Sequence, residues 1–292
     1  MQPMSSTRHK RLRLLIEKDI LQIPGAFNAL AARAVEKAGF EAVYLSGAGL
    51  SNAVFGLPDV GLITLTEAVD HARRVVHAVK VPVIADGDTG FGDTINAART
   101  VSEFEAAGVS AVHLEDQVLP KKCGHLDGKE LVSTAAMVEK IRAAVAARCD
   151  RDFMIIARTD ARGVTSFDDA VDRAKRYLDA GADAIFPEAM QSADELAKFA
   201  QSVKAPLLAN MTEFGKTPLL PLDELRKLGY RMVIYPQTAL RVAFKAIQAM
   251  LADLKKTGDQ TKWLDRMQTR KELYDLLDYD GLEQIDRAVT KP

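Results

Sequence analysis

The sequence predicts a parallel α/β fold, and within that class a (β/α)8 barrel of the TIM type, from three observations. A unit made of a helix end, a glycine, an apolar run and a polar or aromatic residue occurs four times. Further apolar runs follow prolines or polar stretches, so strands alternate with helical patterns. The strands number eight, which favours a closed barrel over an open sheet. The 292 residues exceed the ~250 of one barrel, so a C-terminal helical extension is also expected.

Four glycines mark helix ends in the repeated unit. Each lies where helices commonly end in a left-handed residue, and each precedes an apolar run typical of a strand buried on both faces. These glycines are Gly39, Gly108, Gly181 and Gly229. Together with the runs between them, they predict strands near residues 21, 43, 84, 113, 156, 185, 208 and 233.

Helical patterns fill the intervals between the strands. They lie at 29–38, 66–79, 95–107, 134–147, 167–180, 193–203 and 222–228, and a long helix follows at 238–256. A helical tail is predicted over 263–288. We therefore divide the chain into a barrel, residues 1–258, and a tail, residues 259–292, that is not an independent domain. The alternative is a doubly wound sheet, which would carry a Gly-x-Gly-x-x-Gly fingerprint after a strand. The best candidate begins at Gly47 and Gly49, but Asn52 stands where the third glycine should be.

Composition limits the partners and the compartment. The chain has 39 Lys and Arg against 40 Asp and Glu, a net charge of −1, so no basic footprint for nucleic acid or anionic membrane is present. Two cysteines, Cys123 and Cys149, cannot form a disulfide framework and indicate a reducing compartment. Residues 1–13 lack the apolar segment of a secretory signal. A soluble, cytoplasmic protein is expected.

Acidic residues at predicted strand ends suggest a metal site. Asp86 and Asp88 are two residues apart and point to one side in extended backbone, and Glu115 ends the next strand. Such hard oxygen ligands suit Mg²⁺, whereas the alternative is that the pair only caps a loop. A calcium-binding loop is excluded because positions six and twelve from Asp86 are Phe91 and Ala97.

Arg158 follows a buried strand directly. A guanidinium there needs an anion. The residues leave two interpretations open: pairing with Asp160 or Glu188 in the same chain, or a clamp on a substrate carboxylate.

The loop 119–130 contains a proline and two glycines and could move as a lid. Within it, Cys123 is flanked by Lys121 and Lys122 and lies near His125, which predicts a lowered thiol pKa. Cys123 is then a candidate proton donor or nucleophile. The alternative is an incidental exposed thiol.

Taken together, these motifs resemble the isocitrate lyase/phosphoenolpyruvate mutase superfamily over essentially the whole chain. The motif at 121–125 in the loop 119–130, called the cysteine loop below, is specific for the lyase branch of the superfamily. The tail is most similar to the members that cleave 2-methylisocitrate. The matching segments are 86–92 (DGDTGFG), 113–117 (HLEDQ), 121–125 (KKCGH), 157–160 (ARTD), 186–189 (FPEA), 210–215 (NMTEFG) and 268–274 (QTRKELY).

The resemblance implies a role for each candidate residue. It implies Mg²⁺, with Mn²⁺ as a substitute, on Asp86, with support largely through water from Asp59, Asp88 and Glu115. Tyr44 would be the base and Cys123 the acid. Arg158 would clamp the substrate carboxylate that lies on the backbone of Ser46, Gly47 and Ala48. The remaining substrate contacts implied are Gly124 and His125 of the lid, Glu188, Asn210, Thr212, Arg241 and Arg270.

The resemblance also implies an activity and an assembly. The expected reaction is cleavage of 2-methylisocitrate, a small 2-hydroxy tricarboxylate, to pyruvate and succinate in propionate catabolism, with Phe186 and Pro236 accepting the extra methyl group. Enzymes acting on 2,3-dimethylmalate or oxaloacetate keep a similar loop and remain alternatives. An inactive barrel acting as a binding protein is the alternative outside catalysis. A homotetramer is expected, in which the helix after the eighth strand is exchanged between subunits.

Overall fold

The computed structural model describes residues 4–290 and contains each of the eight predicted strands. They are β1 (Leu21–Pro24), β2 (Val43–Leu45), β3 (Val83–Asp86), β4 (Ala111–Glu115), β5 (Met154–Thr159), β6 (Ala184–Pro187), β7 (Leu208–Asn210) and β8 (Met232–Tyr235). The predicted barrel and tail ranges include residues 1–3 and 291–292, which lie outside the described part.

All strand pairs are parallel, so the α/β fold is confirmed. One sheet has the order β2-β3-β4-β5-β6 and the other β1-β8-β7. Single parallel bridges, Gly25 with Tyr44 and Ile185 with Leu207, link the two sheets at both junctions. Every strand therefore neighbours the strands before and after it in sequence, and β8 neighbours β1.

Helices connect the strands in the order that the sequence predicts. They are α1 (Met4–Lys18), α2 (Ala29–Lys37), α3 (Gly47–Ala53), α4 (Leu65–Ala78), α5 (Thr94–Ala106), α6 (Thr134–Ala147), α7 (Phe167–Asp179), α8 (Ala193–Ser202), α9 (Leu222–Leu228), α10 (Thr238–Thr257), α11 (Arg270–Leu277) and α12 (Tyr279–Thr290). Short 3₁₀ segments lie at Ala161–Gly163 and Thr261–Arg266. Helices α1 and α3 were not predicted. The predicted helical tail, 263–288, is made of the second 3₁₀ segment, α11 and α12.

Local sequence explains the helix boundaries. Side chains accept the free N–H groups of the first turn, and the clearest case is the reciprocal capping box of Thr64 and Glu67 at the start of α4. The four predicted helix-ending glycines all have positive φ, from 87° to 106°. These caps end each helix close to the next strand and so keep the connections short.

Apolar side chains form two packed layers around the strands. The larger cluster fills the space between the strands and the surrounding helices and includes Val83, Val112 and Ile155. The smaller one lies on the other face of the strands and includes Ile84, Ile156 and Met232. Because both faces are covered, β4 and β5 are buried along their whole length.

Helix α1 covers the amino ends of the strands. Its Leu12 and Ile16 are buried in the smaller cluster beside Leu21 and Ile23. Arg13 bonds the carbonyl of Asp152 and the carboxylate of Asp183, both in segments that lead into strands. The opposite, carboxyl ends of the strands are therefore the face left for a site.

The C-terminal helices bury very few of their side chains. In α10, α11 and α12 only Leu240 is buried. Large apolar side chains at or above 39% exposure include Val242, Leu251, Leu277, Leu282, Ile285 and Val289. Within residues 4–290, none of the helices has the length and apolar character needed to cross a membrane.

Candidate active site

A small cavity of about 50 Å³ lies at the carboxyl ends of the strands. It brings together twelve of the predicted site residues: Tyr44, Ser46, Ala48, Asp59, Asp86, Cys123, Gly124, His125, Arg158, Glu188, Asn210 and Thr212. Phe186 and Pro236 line it as well. Gly47 and Asp88 line an adjacent smaller cavity that shares Asp86 with it.

Lys121 lies at the centre of the acidic residues. Its ammonium nitrogen is 2.5 Å from Asp59 Oδ1 and 2.9 Å from Asp88 Oδ1. Burial by itself lowers the pKa of Lys121, but Asp88 and Asp59 outweigh it and raise that pKa well above its usual range. Burial raises the pKa of Asp88 to about 6, although Lys121 opposes this effect. The cluster thus holds a cation between two carboxylates.

Asp86, at the end of β3, is held by backbone donors. Its Oδ2 accepts from the N–H of Gly47 at 3.0 Å and its Oδ1 from the N–H of Asp88 at 3.0 Å. Burial alone raises the pKa of Asp86, but His113, Lys121 and Arg158 together lower it to about 2. Because burial also lowers the pKa of His113 to about 4, that imidazole is neutral at pH 7, and the two cations supply the stabilising charge. Asp86 is therefore ionised.

Tyr44 and His113 form a buried pair beside Asp86. The Tyr44 hydroxyl is 2.8 Å from His113 Nε2, and His113 Nε2 is 3.6 Å from Asp86 Oδ1. Burial, reinforced by Asp86, raises the pKa of Tyr44 well above its usual value. Tyr44 is therefore protonated at neutral pH and adjoins a neutral imidazole.

Arg158 pairs with carboxylates of its own chain. Its Nε is 2.9 Å from Asp160 Oδ2, and its Nη1 is 3.2 Å from Glu115 Oε2. Its Nη2 lies 3.7 Å from Glu188 Oε2. The first of the two interpretations of Arg158 is thus present in the structure. The substrate clamp remains a prediction for a side chain that lines the cavity.

The cysteine loop closes one side of the cavity. His125 Nε2 is 2.9 Å from Glu188 Oε1, and its Nδ1 accepts from the N–H of Lys216 at 2.9 Å. A Cβ at Gly124 would lie 2.5 Å from Arg158 Nη2, so only glycine fits where the loop approaches the guanidinium. The loop therefore lies directly on the charged groups of the site.

The predicted lowering of the Cys123 pKa is wrong. Burial raises the pKa of this thiol. Neither neighbouring lysine is directed to the sulfur, because Lys121 pairs with Asp59 and Asp88 while the Lys122 ammonium bonds the Gly128 carbonyl at 2.5 Å. The thiol is consequently protonated at neutral pH.

Two predicted substrate residues do not line the cavity in this chain. The Nε of Arg241, on α10, lies 3.6 Å from Glu213 Oε2, and its guanidinium is stacked on Phe214. Arg270 is the first residue of α11. Their roles in substrate binding remain predictions.

Three residues that the sequence did not assign to catalysis, substrate or metal belong to the site. His113 was expected at a strand end without a chemical role, and it alternates with Glu115 on β4. Lys121 was expected only to lower the pKa of Cys123, and in the structure it is a cation among the predicted metal ligands. Gln237, which follows β8, donates from Nε2 to Ser46 Oγ at 3.2 Å, and no sequence signal singled it out.

The carboxylates do not form a metal site built from protein ligands alone. Within residues 4–290, no three His, Cys, Asp or Glu side chains are arranged to hold a metal ion between them. Buried acceptor capacity is nevertheless left over, because Glu115 Oε1 has no hydrogen-bond partner. A cation that binds mainly through water would satisfy both observations.

Comparison with known proteins identifies the class. The sequence pattern of the phosphoenolpyruvate phosphomutase family matches residues 12–255. The 2-methylisocitrate lyase of Aeropyrum pernix is 52% identical over 281 residues, covering 96% of this chain and 90% of that protein. The 2-methylisocitrate lyase of Halalkalibacterium halodurans is 51% identical over 278 residues, covering 95% of this chain and 92% of that protein.

Solved structures agree with the sequence comparison. A crystal structure of 2,3-dimethylmalate lyase, a PEP mutase/isocitrate lyase superfamily member, has a TM-score of 0.92 at 36% identity and covers 99% of this chain and 96% of its own. Phosphonopyruvate hydrolase in complex with oxalate and Mg²⁺ has a TM-score of 0.87 at 31% identity, covering 97% of this chain and 99% of its own.

The chain therefore belongs to the phosphoenolpyruvate phosphomutase family, within the PEP mutase/isocitrate lyase superfamily. The resemblance carried by the sequence motifs is confirmed, and so is the particular similarity to 2-methylisocitrate lyases.

Proposed function

We propose that this chain is a Mg²⁺-dependent lyase that cleaves 2-methylisocitrate into pyruvate and succinate. The observation that carries the proposal is that a protonated thiol, Cys123, shares one cavity with Tyr44, Arg158 and the acidic cluster. A retro-aldol cleavage needs a base, an acid and charge stabilisation around one small space. Relatives of about half-identical sequence carry this activity in their names.

The acidic cluster fits Mg²⁺ bound largely through water. Asp86 would be the direct ligand, and Asp59, Asp88 and Glu115 would hold the water shell, since Mg²⁺ commonly keeps several waters and few carboxylates. The Lys121 ammonium paired with Asp59 and Asp88 supports the proposal that these carboxylates favour positive charge. When bound, Mg²⁺ would stabilise the negative charge that develops on the pyruvate oxygen. Mn²⁺ would suit the same oxygen ligands.

Tyr44 would accept the substrate hydroxyl proton as one member of a pair with His113. A neutral tyrosine with a raised pKa cannot act as a base unless it passes its own proton on. His113 Nε2, 2.8 Å away, would take that proton, and Asp86 Oδ1, 3.6 Å from the same nitrogen, would stabilise the imidazolium that forms. The two groups together would do what the sequence assigned to Tyr44.

Cys123 would return a proton to the carbon of the succinate fragment. A raised pKa keeps the thiol protonated, which suits an acid better than a nucleophile. Arg158 and the lid residues Gly124 and His125 would hold substrate carboxylates. The other proposed contacts are the backbone of Ser46, Gly47 and Ala48 with Glu188, Asn210 and Thr212.

The assembly forms part of the proposal. The bridges at both sheet junctions support one closed (β/α)8 barrel. The exposed apolar side chains of α10, α11 and α12 support a tetramer in which α10 is exchanged between subunits, because such surface is normally covered. Arg241 and Arg270 would then complete substrate sites in the assembly. Two free cysteines support a cytoplasmic location.

A substrate panel with and without EDTA tests the function. Racemic 2-methylisocitrate, 2,3-dimethylmalate and oxaloacetate would be supplied with Mg²⁺. Pyruvate release would be followed by NADH loss in a coupled assay, with oxaloacetate disappearance recorded separately. We expect 2-methylisocitrate to turn over fastest, and EDTA to abolish turnover. Preference for 2,3-dimethylmalate would reassign the enzyme towards its structural relative, and no cleavage of any acid would indicate a binding protein.

A further inference from the structure

A buried lysine connects the cysteine loop to the end of β5. The side chain of Lys129 is only 1% exposed, and its ammonium bonds both the Gly124 carbonyl and Asp160 Oδ1, the latter at 2.6 Å. An ammonium is rarely buried unless it is paired and hydrogen-bonded. Lys129 therefore makes a specific connection between these two partners.

One partner, Gly124, follows Cys123 directly. A Cβ at Gly124 would lie 2.5 Å from Arg158 Nη2 and 2.7 Å from Glu188 Cδ. The backbone at Gly124 therefore packs directly against these two charged side chains. If the Gly124 carbonyl moved, the adjoining Cys123 sulfur would move with it. The Lys129 bond to this carbonyl thus bears on where the thiol lies.

The other partner, Asp160, is fixed from several sides. It accepts two bonds from Arg158, at 2.9 and 3.1 Å, and its own N–H donates to Asp116 Oδ1 at 2.9 Å. Asp116 in turn accepts from Tyr177 at 2.8 Å. Asp160 is therefore a rigid anchor at the end of β5.

Lys129 differs from the other polar contacts of the loop. Lys121 and His125 also connect the loop to carboxylates, but both line the cavity. Lys129 does not line the cavity and lies behind the loop, so its loss removes no group that faces the substrate.

We propose that Lys129 is a positioning residue that holds Cys123 at its working place by connecting the Gly124 carbonyl to Asp160. The role in turnover rests on the proposed acid function of Cys123. The effect on the loop does not, and it can be measured by the reactivity of the thiol.

The test compares Lys129→Met with Lys216→Met in the full-length protein. Lys216 makes an equally short ion pair with the same loop, 2.6 Å to Asp127, but in an exposed position. Alkylation of Cys123 by iodoacetamide would be measured by peptide mass spectrometry. Exposed Cys149 serves as the internal reference on the same chain. Lys129→Arg, which keeps the cation, is the conservative variant.

We expect the Cys123-to-Cys149 rate ratio to rise ~10-fold in Lys129→Met, because the loop opens locally. With 2-methylisocitrate, kcat should fall about 100-fold while KM changes little, as expected when a reacting group is displaced by about 1 Å. Lys216→Met should change either quantity less than about twofold. Lys129→Arg should restore the ratio towards the wild-type value.

An unchanged ratio and kcat in Lys129→Met would overturn the proposal, and so would an equal rise in Lys216→Met. If Lys129→Met does not fold, Lys129→Gln carries the same test, since its shorter, neutral side chain loses the ion pair with Asp160 and with it the connection between the loop and β5. A wild-type protein that releases no pyruvate would contradict the proposed function. The alkylation ratio would still decide the role of Lys129.

Discussion

The amino ends of the strands are covered by apolar side chains, whereas the carboxyl ends are lined by buried charged groups. At the amino ends, Leu12 and Ile16 of α1 pack against Leu21 and Ile23, and the charges of Arg13 and Asp183 lie at the rim. At the carboxyl ends, ionisable groups are buried beside one another, with pKa values moved in both directions. The apolar packing at the amino ends stabilises the fold. The carboxyl ends hold charged groups at the place where we propose catalysis.

The difference shows where substitutions should act. Paired buried charges contribute little net stability, but breaking one pair is costly. Apolar packing contributes directly to the free energy of unfolding. A change at the amino ends should therefore alter stability and leave turnover intact, whereas a change at the carboxyl ends should reduce turnover whether or not stability also falls. The tail adds a third case, since its proposed contribution needs a second subunit.

Truncation before Trp263 should have the largest effect. It removes Arg270 and the apolar faces of α11 and α12, so we expect both assembly and activity to be lost. Analytical ultracentrifugation and the pyruvate assay would measure the two effects. A fully active monomer would show that the carboxyl-end cavity is complete without the tail.

Asp86→Asn should come next. It removes the proposed direct Mg²⁺ ligand, and we expect kcat to fall by at least about 100-fold, because even supporting residues of metal sites cost 10–100-fold. Titration of activity with Mg²⁺ would show a raised requirement. The matched control is Asp70→Asn, which alters an exposed pair with Arg73 and should leave activity unchanged. Equal activity of the two variants would contradict the metal assignment.

Leu12→Ala should separate stability from turnover. Leu12 is completely buried, so its truncation should cost about 2–5 kcal/mol of unfolding free energy. Leu14→Ala, on the same helix at 56% exposure, should cost less than about 0.5 kcal/mol. Urea denaturation measures both, and kcat of folded Leu12→Ala should equal that of the wild type. A large loss of kcat in Leu12→Ala without a loss of stability would contradict the claim that the amino ends affect stability and not turnover.

The smallest effect concerns the pH at which Cys123 reacts. Burial raises the pKa of the thiol, so the reactive thiolate forms only at higher pH. Alkylation should therefore rise with pH, with a midpoint above the ~8.5 of a free cysteine peptide. A midpoint below that of the peptide would restore the lowered pKa that the sequence suggested.

Sequence patterns predicted the strands well, because unbroken apolar runs and helix-ending glycines act locally. The rule that strand ends carry function then placed Asp86, Glu115 and Arg158 at the site. Helix α1 was missed because charged residues outnumber its few apolar side chains, and burial of Leu12 and Ile16 depends on distant strands. The prediction of a lowered Cys123 pKa was wrong for a similar reason, since neighbours in sequence do not reveal where lysine side chains point.

Replacement of Cys123 tests the central claim most directly. Cys123→Ser keeps the size and shape of the side chain but replaces the thiol with a much weaker acid. With Mg²⁺ and 2-methylisocitrate, we expect pyruvate release to fall about 10²–10⁴-fold, the contribution typical of a general acid. Binding of the substrate, measured by calorimetry, should be retained. Unchanged turnover in Cys123→Ser would contradict the account.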